Sequence, residues 1–295
     1  MPTATESRSA QSSARRGITG KIQVVVIGAL VITAFWPILK GIYGSWFDTS
    51  IYMEHGIFVI PAAVCMAWTK RSALMRIPLQ PSVWGAALVL WGAAQAIVGM
   101  AAHWIWISRT AFLISLTGSI AAVYGFRMVR ELAYPLATLI LMIAPPTFLY
   151  TRLTLRLQLL ASRGGEVCLE ALGYSVIREG NIIELAGAKL SVQEACSGIR
   201  SLLAIIFMCV VYNYFFVQGR LIRAAILLLA VPIAILVNLS RIVATGIASE
   251  HNRELVHGTA HEIFGYISIL IAVICCILVH MGLQRVERRW RPPHA

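Results

Sequence analysis

The sequence predicts an all-α polytopic membrane protein of about eight transmembrane helices, with a small extracytoplasmic α/β insertion between the fifth and the sixth. Three observations carry that prediction. Apolar residues make up 58% of the 295 positions and charged residues only 13%, whereas a soluble domain is about half apolar and a quarter charged. The apolar residues fall in continuous runs long enough to cross a bilayer. Continuous runs, rather than alternation, also exclude a β-barrel. Finally, the basic residues are distributed unevenly between the segments that join the runs, as membrane insertion requires.

The first 21 residues, "MPTATESRSAQSSARRGITGK", are polar, small and basic. They lack the apolar core of a signal peptide and read as a disordered cytoplasmic tail. Eight spans follow over residues 22–283, at Ile22–Leu39, Gly56–Trp68, Val83–Ala102, Ile105–Tyr124, Leu132–Leu149, Ile199–Phe216, Leu221–Leu239 and Ile263–Leu283. The second is short, with an alternative start near Ile51. Residues 284–295 form a basic cytoplasmic tail.

With the amino terminus inside, 15 of the 25 basic residues but only Glu6, Glu131 and Glu287 of the 13 acids fall on the inner side. The whole net charge of +12 then sits on that face, and the outer face is neutral. This places both termini in the cytoplasm. It also accounts for the basic balance without nucleic acid, since anionic lipid headgroups are the natural partner of such a face.

The insertion, residues 150–195, begins with "TRLTLRLQLLASRGGEVCLEAL", in which arginines interleave with leucines. That pattern suits one or two helices lying at the outer membrane surface. "YSVIREGNIIELAGAKLSVQEA" then reads as short strands, with turns at Glu179–Gly180 and Ala186–Gly187. The strands lead into "ACSGIRS".

Chemistry concentrates at the outer ends of the last three spans. Four of the six cysteines (Cys65, Cys209, Cys275, Cys276) lie inside apolar runs, where cysteine behaves as a small hydrophobe. Cys196 does not. It precedes Ser197 and Gly198, which permit a tight entry into a helix whose first N–H groups favour an anion and lower a thiol pKa. Arg200, one turn on, adds positive potential on the same face. Glu194 stands just before the cysteine. Arg241 ends the seventh span on the side where a lone arginine is less ordinary than an inner snorkelling residue. Asn238 is three residues back on the same face, within reach of a hydrogen bond to it.

His251, His257 and His261 precede the eighth span. His257 and His261 have the i, i+4 spacing of a zinc pair, with His251 as a third ligand, but no HExxH arrangement is present. One histidine acting as acid and base beside a cysteine is the simpler chemistry, and needs no metal and no cofactor. A solute transporter and a membrane acyltransferase with a cysteine nucleophile are the alternative classes. Paired discontinuous helices, the mark of the transporter class, are not visible in the sequence.

The run from "APPTFLYTRLTLRLQLLAS" through "LGYSVIREGNIIELAGAKLSVQEACSGIRSLLA", followed by "NLSRI" and "HEIFGY", closely resembles the exosortases, bacterial relatives of the archaeosortases. The resemblance covers about Ala144 to Tyr266 and, more loosely, the earlier spans. It implies a membrane cysteine protease-transpeptidase acting on exported proteins anchored by a C-terminal sorting signal. That signal comprises a Pro-Glu-Pro-like motif, a transmembrane helix and a basic cluster. The family's Cys-Arg-His set falls on Cys196, Arg241 and His261, with Ser197, Gly198, Arg200 and Asn238 in support. His261 is preferred to His257 because Gly265 and Tyr266 follow it in the family pattern. Glu194, His257 and Tyr266 are then candidates to line the substrate's approach. The acceptor would be an amine, a glycan component or water.

Overall fold

The computed structural model describes residues 26–48, 53–186, 189–192, 198–251 and 259–290. The helices are α1 (Val26–Ala34), α2 (Trp36–Phe47), α3 (Gly56–Thr69), α4 (Arg71–Leu74), α5 (Val83–Ala101), α6 (Ile105–Tyr124), α7 (Phe126–Glu131) and α8 (Ala133–Thr138). A 3₁₀ turn (Leu139–Met142) leads to α9 (Thr147–Ala171). Strands β1 (Val176–Glu179), β2 (Ile182–Leu185) and β3 (Lys189–Ser191) precede α10 (Gly198–Phe216), α11 (Arg220–His251) and α12 (Thr259–Trp290). The chain divides into two compact units, Met1–Ser45 with Lys70–Leu136, and Trp46–Thr69 with Ala137–Ala295.

In the first unit, α5 and α6 form a hairpin joined through His103, which takes the left-handed conformation (φ 54°). Gly85, Gly92 and Gly99 recur every seven residues, so they share one face of α5. A Cβ at Gly99 would stand 2.7 Å from the backbone nitrogen of Ser108, and one at Gly118 would stand 2.8 Å from that of Val89. Only glycine lets two backbones approach so closely, the packing device that apolar helices use where no hydrophobic force drives them together. Phe35 packs edge-on against Phe112 at 5.9 Å. Arg109 is buried and donates to the Gly41 carbonyl at 2.8 Å.

In the second unit, α10, α11 and α12 share a seam of Ile205, Cys209, Ala230, Ala234, Val237, Ala272 and Cys276. Cys209 and Cys276 are buried with their sulfurs 3.0 Å apart, consistent with cysteine as a small core residue. The α10–α11 turn is held by Arg223 Nε donating to the Val217 carbonyl and Asn213 Nδ2 to that of Arg223. The strands form an antiparallel sheet in the order β1-β2-β3. Glu179 pairs with Ile182 across a two-residue loop, with Gly180 at φ 64°, as the expected turn requires. Ile183, Leu185, Leu190 and Val192 close onto Ala161, Leu169 and Ile242, so one face of the sheet seals against α9 and α11.

One expectation is corrected and another is met in part. The span expected at Leu132–Leu149 stops at Met142. Pro145 and Pro146 lack the N–H needed to carry the helix on, and the axis turns by 77° between Ala133–Met142 and Thr147–Ala171. After the turn, α9 is a single helix and packs lengthwise on α11 in the same direction. The sites of Gly164 and Gly165 face Leu239 and Ile242, and that of Gly246 faces Leu169. Eight spans are not confirmed. Among the described residues five helices are long and apolar enough to cross a membrane, or up to seven if each bent pair is one span. At 14 residues α3 is too short alone, because about 20 are needed. The α1–α2 pair is bent by 72°.

Candidate functional site

Glu194, Cys196, Ser197 and His257 lie outside the described residues. The chain on either side of Cys196 is anchored. Val192 is fully buried in the sheet core and donates its N–H to the Asn181 carbonyl at 3.0 Å. Gly198 begins α10, and Ile199 is buried directly after it. The first N–H groups of α10 have no partner within the helix.

α11 contributes a line of polar side chains. Asn238, Arg241, Thr245 and Ser249 follow at intervals of three, four and four, so they share one helical face. Asn238, Thr245 and Ser249 are all buried. Thr245 and Ser249, polar residues at helical spacing in an apolar helix, extend the expected pair of Asn238 and Arg241.

Asn238 does not bond Arg241 as expected. Its Oδ1 is buried and accepts no hydrogen bond among the described residues. Such an orphan acceptor costs about 1–3 kcal/mol and calls for an explanation. It lines a small pocket with Leu157 and Ala161 of α9, Leu202 of α10, and Ala234 and Ile235 of α11. Leu202 is one turn into α10, so the pocket brings the entry of that helix beside the polar face of α11.

The guanidinium of Arg241 rests on α12 at Gly265. A Cβ there would stand 3.6 Å from Nη2 and 3.7 Å from Cζ. Gly265 thus forms a shallow notch in which a planar cation can lie against the helix. His261 is in the same helix one turn earlier, at the i, i−4 position that shares this face. Its side chain lies outside what the structure describes, as does that of His251 at the end of α11, so the zinc reading is left to experiment. Tyr266 is 70% exposed, one residue round from the notch.

Arg200, in the first turn of α10, meets a partner that sequence reasoning missed. Its Nη2 lies 2.7 Å from Oε1 of Glu54, 146 residues away. No local pattern in "YMEHG" signals that contact.

The described residues therefore bring together the first turn of α10, a guanidinium facing α12 one turn from His261, and an uncompensated amide acceptor lining a pocket among α9, α10 and α11. Cations and helix N–H groups suit the stabilisation of an anion that forms during a reaction. The sequence profile of the transmembrane exosortases matches residues 46–279 of the chain. No curated protein and no solved structure matches it.

Proposed function

Because this chain belongs to the transmembrane exosortase family, we propose that it is a membrane cysteine protease-transpeptidase that cleaves the C-terminal sorting signal of exported, membrane-anchored proteins. The observation that carries the reading is the seat of Arg241 on Gly265, one helical turn from His261 and on the same bundle as the entrance that follows Cys196.

The sulfur of Cys196 attacks the backbone carbonyl carbon at the sorting motif, and the carbonyl oxygen becomes an oxyanion. Arg241 and the first N–H groups of α10 stabilise that charge, a contribution of about 3 kcal/mol per donor in comparable sites. His261 accepts the thiol proton and returns it to the nitrogen of the departing segment. The C–N bond breaks, the substrate's own membrane helix leaves with the new amine, and an acyl thioester remains on Cys196. An amine, a glycan hydroxyl or water then attacks the thioester and restores the thiol. The site belongs on the extracytoplasmic side of a bacterial plasma membrane, where a substrate held by its own helix presents the residues just outside that helix.

Co-reconstituting the full chain with a tagged substrate bearing such a signal tests the reading. Cys196→Ala is expected to leave the substrate at full length while the variant accumulates normally in the membrane. Normal cleavage by Cys196→Ala would reject the nucleophile assignment.

A further inference from the structure

In the first unit, α6 carries a permanent charge that its surroundings do not balance. Arg109 opens the second turn of α6 and is only 9% exposed. Its Nη2 donates to the Gly41 carbonyl of α2 at 2.8 Å. That carbonyl is neutral, and Arg109 takes part in no ion pair among the described residues. A guanidinium does not shed its proton. A covered cation in an apolar helix is costly and marks a place where something binds. Nε and Nη1 have no partner among the described residues, yet neither is sealed from the surface. A side chain at Gly41 would begin 4.0 Å from Nη2, so the glycine leaves that flank of the guanidinium open.

The charge lies at headgroup depth. Arg109 is four residues past Ile105, so its Cα is about 6 Å along the axis from the start of α6. Helical side chains lean toward the amino-terminal end. Here that end carries the exposed Trp104 and Trp106, and tryptophan settles at a membrane–water interface. A second cation is close in the chain. Lys40 immediately precedes Gly41, is exposed, and makes no hydrogen bond or ion pair among the described residues. Two cations without a carboxylate, at the level where phosphodiesters are the abundant anions, suit a lipid headgroup. A soluble anion would have to leave water to reach the same depth.

We propose that Arg109 and Lys40 bind the phosphate of an anionic phospholipid at the α2–α6 edge of the first unit. The guanidinium keeps one N–H on Gly41 and offers Nε and Nη1 to the phosphate oxygens as charge-assisted donors. Lys40 adds a second positive charge. The pair therefore favours a headgroup with no ammonium of its own, such as phosphatidylglycerol, over phosphatidylcholine. The bound lipid fixes the depth and rotation of α6 in its leaflet. This site is independent of the chemistry proposed for Cys196.

The test uses the purified full chain in a neutral detergent, stripped of lipid and titrated with phosphatidylglycerol. Native mass spectrometry counts bound lipid, and heating followed by size-exclusion chromatography gives the shift in Tm. Saturating phosphatidylglycerol should raise Tm by about 5 °C, and phosphatidylcholine or inorganic phosphate by less than about 1 °C. Arg109→Gln keeps a donor for the Gly41 carbonyl and should weaken phosphatidylglycerol binding at least about tenfold. Lys40→Gln removes an exposed charge and should weaken it about fivefold, which decides the matter if Arg109→Gln fails to fold. Arg76→Gln, an exposed position in the same unit, should bind as the parent does, because general surface charge is not the cause. Parent affinity in Arg109→Gln or Lys40→Gln, an equal loss in Arg76→Gln, or an equal shift from phosphatidylcholine would overturn the proposal. An equal shift from inorganic phosphate would assign the two cations to a free anion and reject the lipid.

Discussion

The α5–α6 hairpin and the α10–α12 bundle are both built from apolar helices but solve packing differently. In the hairpin, glycines at seven-residue intervals bring two backbones into contact, and a side chain at Gly92 would overlap Ser115. In the bundle, the seam is lined by Ile, Val, Ala and Cys, and the α11 face beside it carries Asn238, Arg241, Thr245 and Ser249. Backbone-to-backbone packing leaves no room for chemistry and gives a stiff scaffold. Packing through side chains leaves pockets and notches that polar groups can occupy, at the cost of an unsatisfied acceptor at Asn238. Under the proposed function, stability and chemistry are segregated along this chain, and substitutions in the two regions should fail in different ways.

The largest effect is expected at the histidines. His261→Ala should be inactive, with kcat down by at least about a thousandfold, within the range for loss of a positioned acid-base group. His257→Ala should be impaired but measurably active. Assays of His251→Ala, His257→Ala and His261→Ala on purified enzyme, with and without EDTA, check this. If all three are essential and the parent is chelator-sensitive, the bundle is a zinc site and the mechanism proposed here is wrong.

A smaller loss is expected at the notch. Arg241→Lys should lose about a hundredfold in kcat, because an ammonium cannot present the paired, directed N–H groups of a guanidinium. Gly265→Ala should be tolerated, since its Cβ would meet Arg241 only at ordinary contact distance, 3.6 Å. Gly265→Leu should displace the guanidinium and approach the Arg241→Lys defect. Full activity in Gly265→Leu would show that the seat of Arg241 does not matter to the reaction.

The smallest catalytic effect belongs to the hairpin. Gly92→Leu should destabilise the protein by about 1–3 kcal/mol through overpacking. Less folded protein should survive heating in detergent, followed by size-exclusion chromatography. Turnover per folded molecule should stay at the parent value. A fall in kcat with unchanged heat resistance would erase the distinction between the two regions.

The membrane-protein class, the helical runs on either side of the insertion, the three short strands and the turn at Gly180 were legible in the sequence. That Cys196 directly precedes a helical run was legible too, whereas Arg241 and His261 joined it as a set only through the resemblance to the exosortases. These are one-dimensional properties: apolar run length, helical or strand period, and which residues stand next to a helix end. Their signal survives without any knowledge of what packs against what. The number of spans was less legible, because a run such as Leu132–Leu149 looks continuous by composition while Pro145 and Pro146 break it. What the tertiary structure alone decided are contacts between distant residues. Nothing in the chain from Thr147 to Ala171 says that it will lie along α11. That choice depends on Gly164, Gly165 and Gly246 meeting Leu239, Ile242 and Leu169 across the interface. Likewise the seat of Arg241 at Gly265, the orphan amide of Asn238, and the reach of Glu54 to Arg200 depend on the rotational phase and spacing of whole helices. A single residue's neighbours in sequence do not encode that phase. It is set by the sum of many packing contacts made at once.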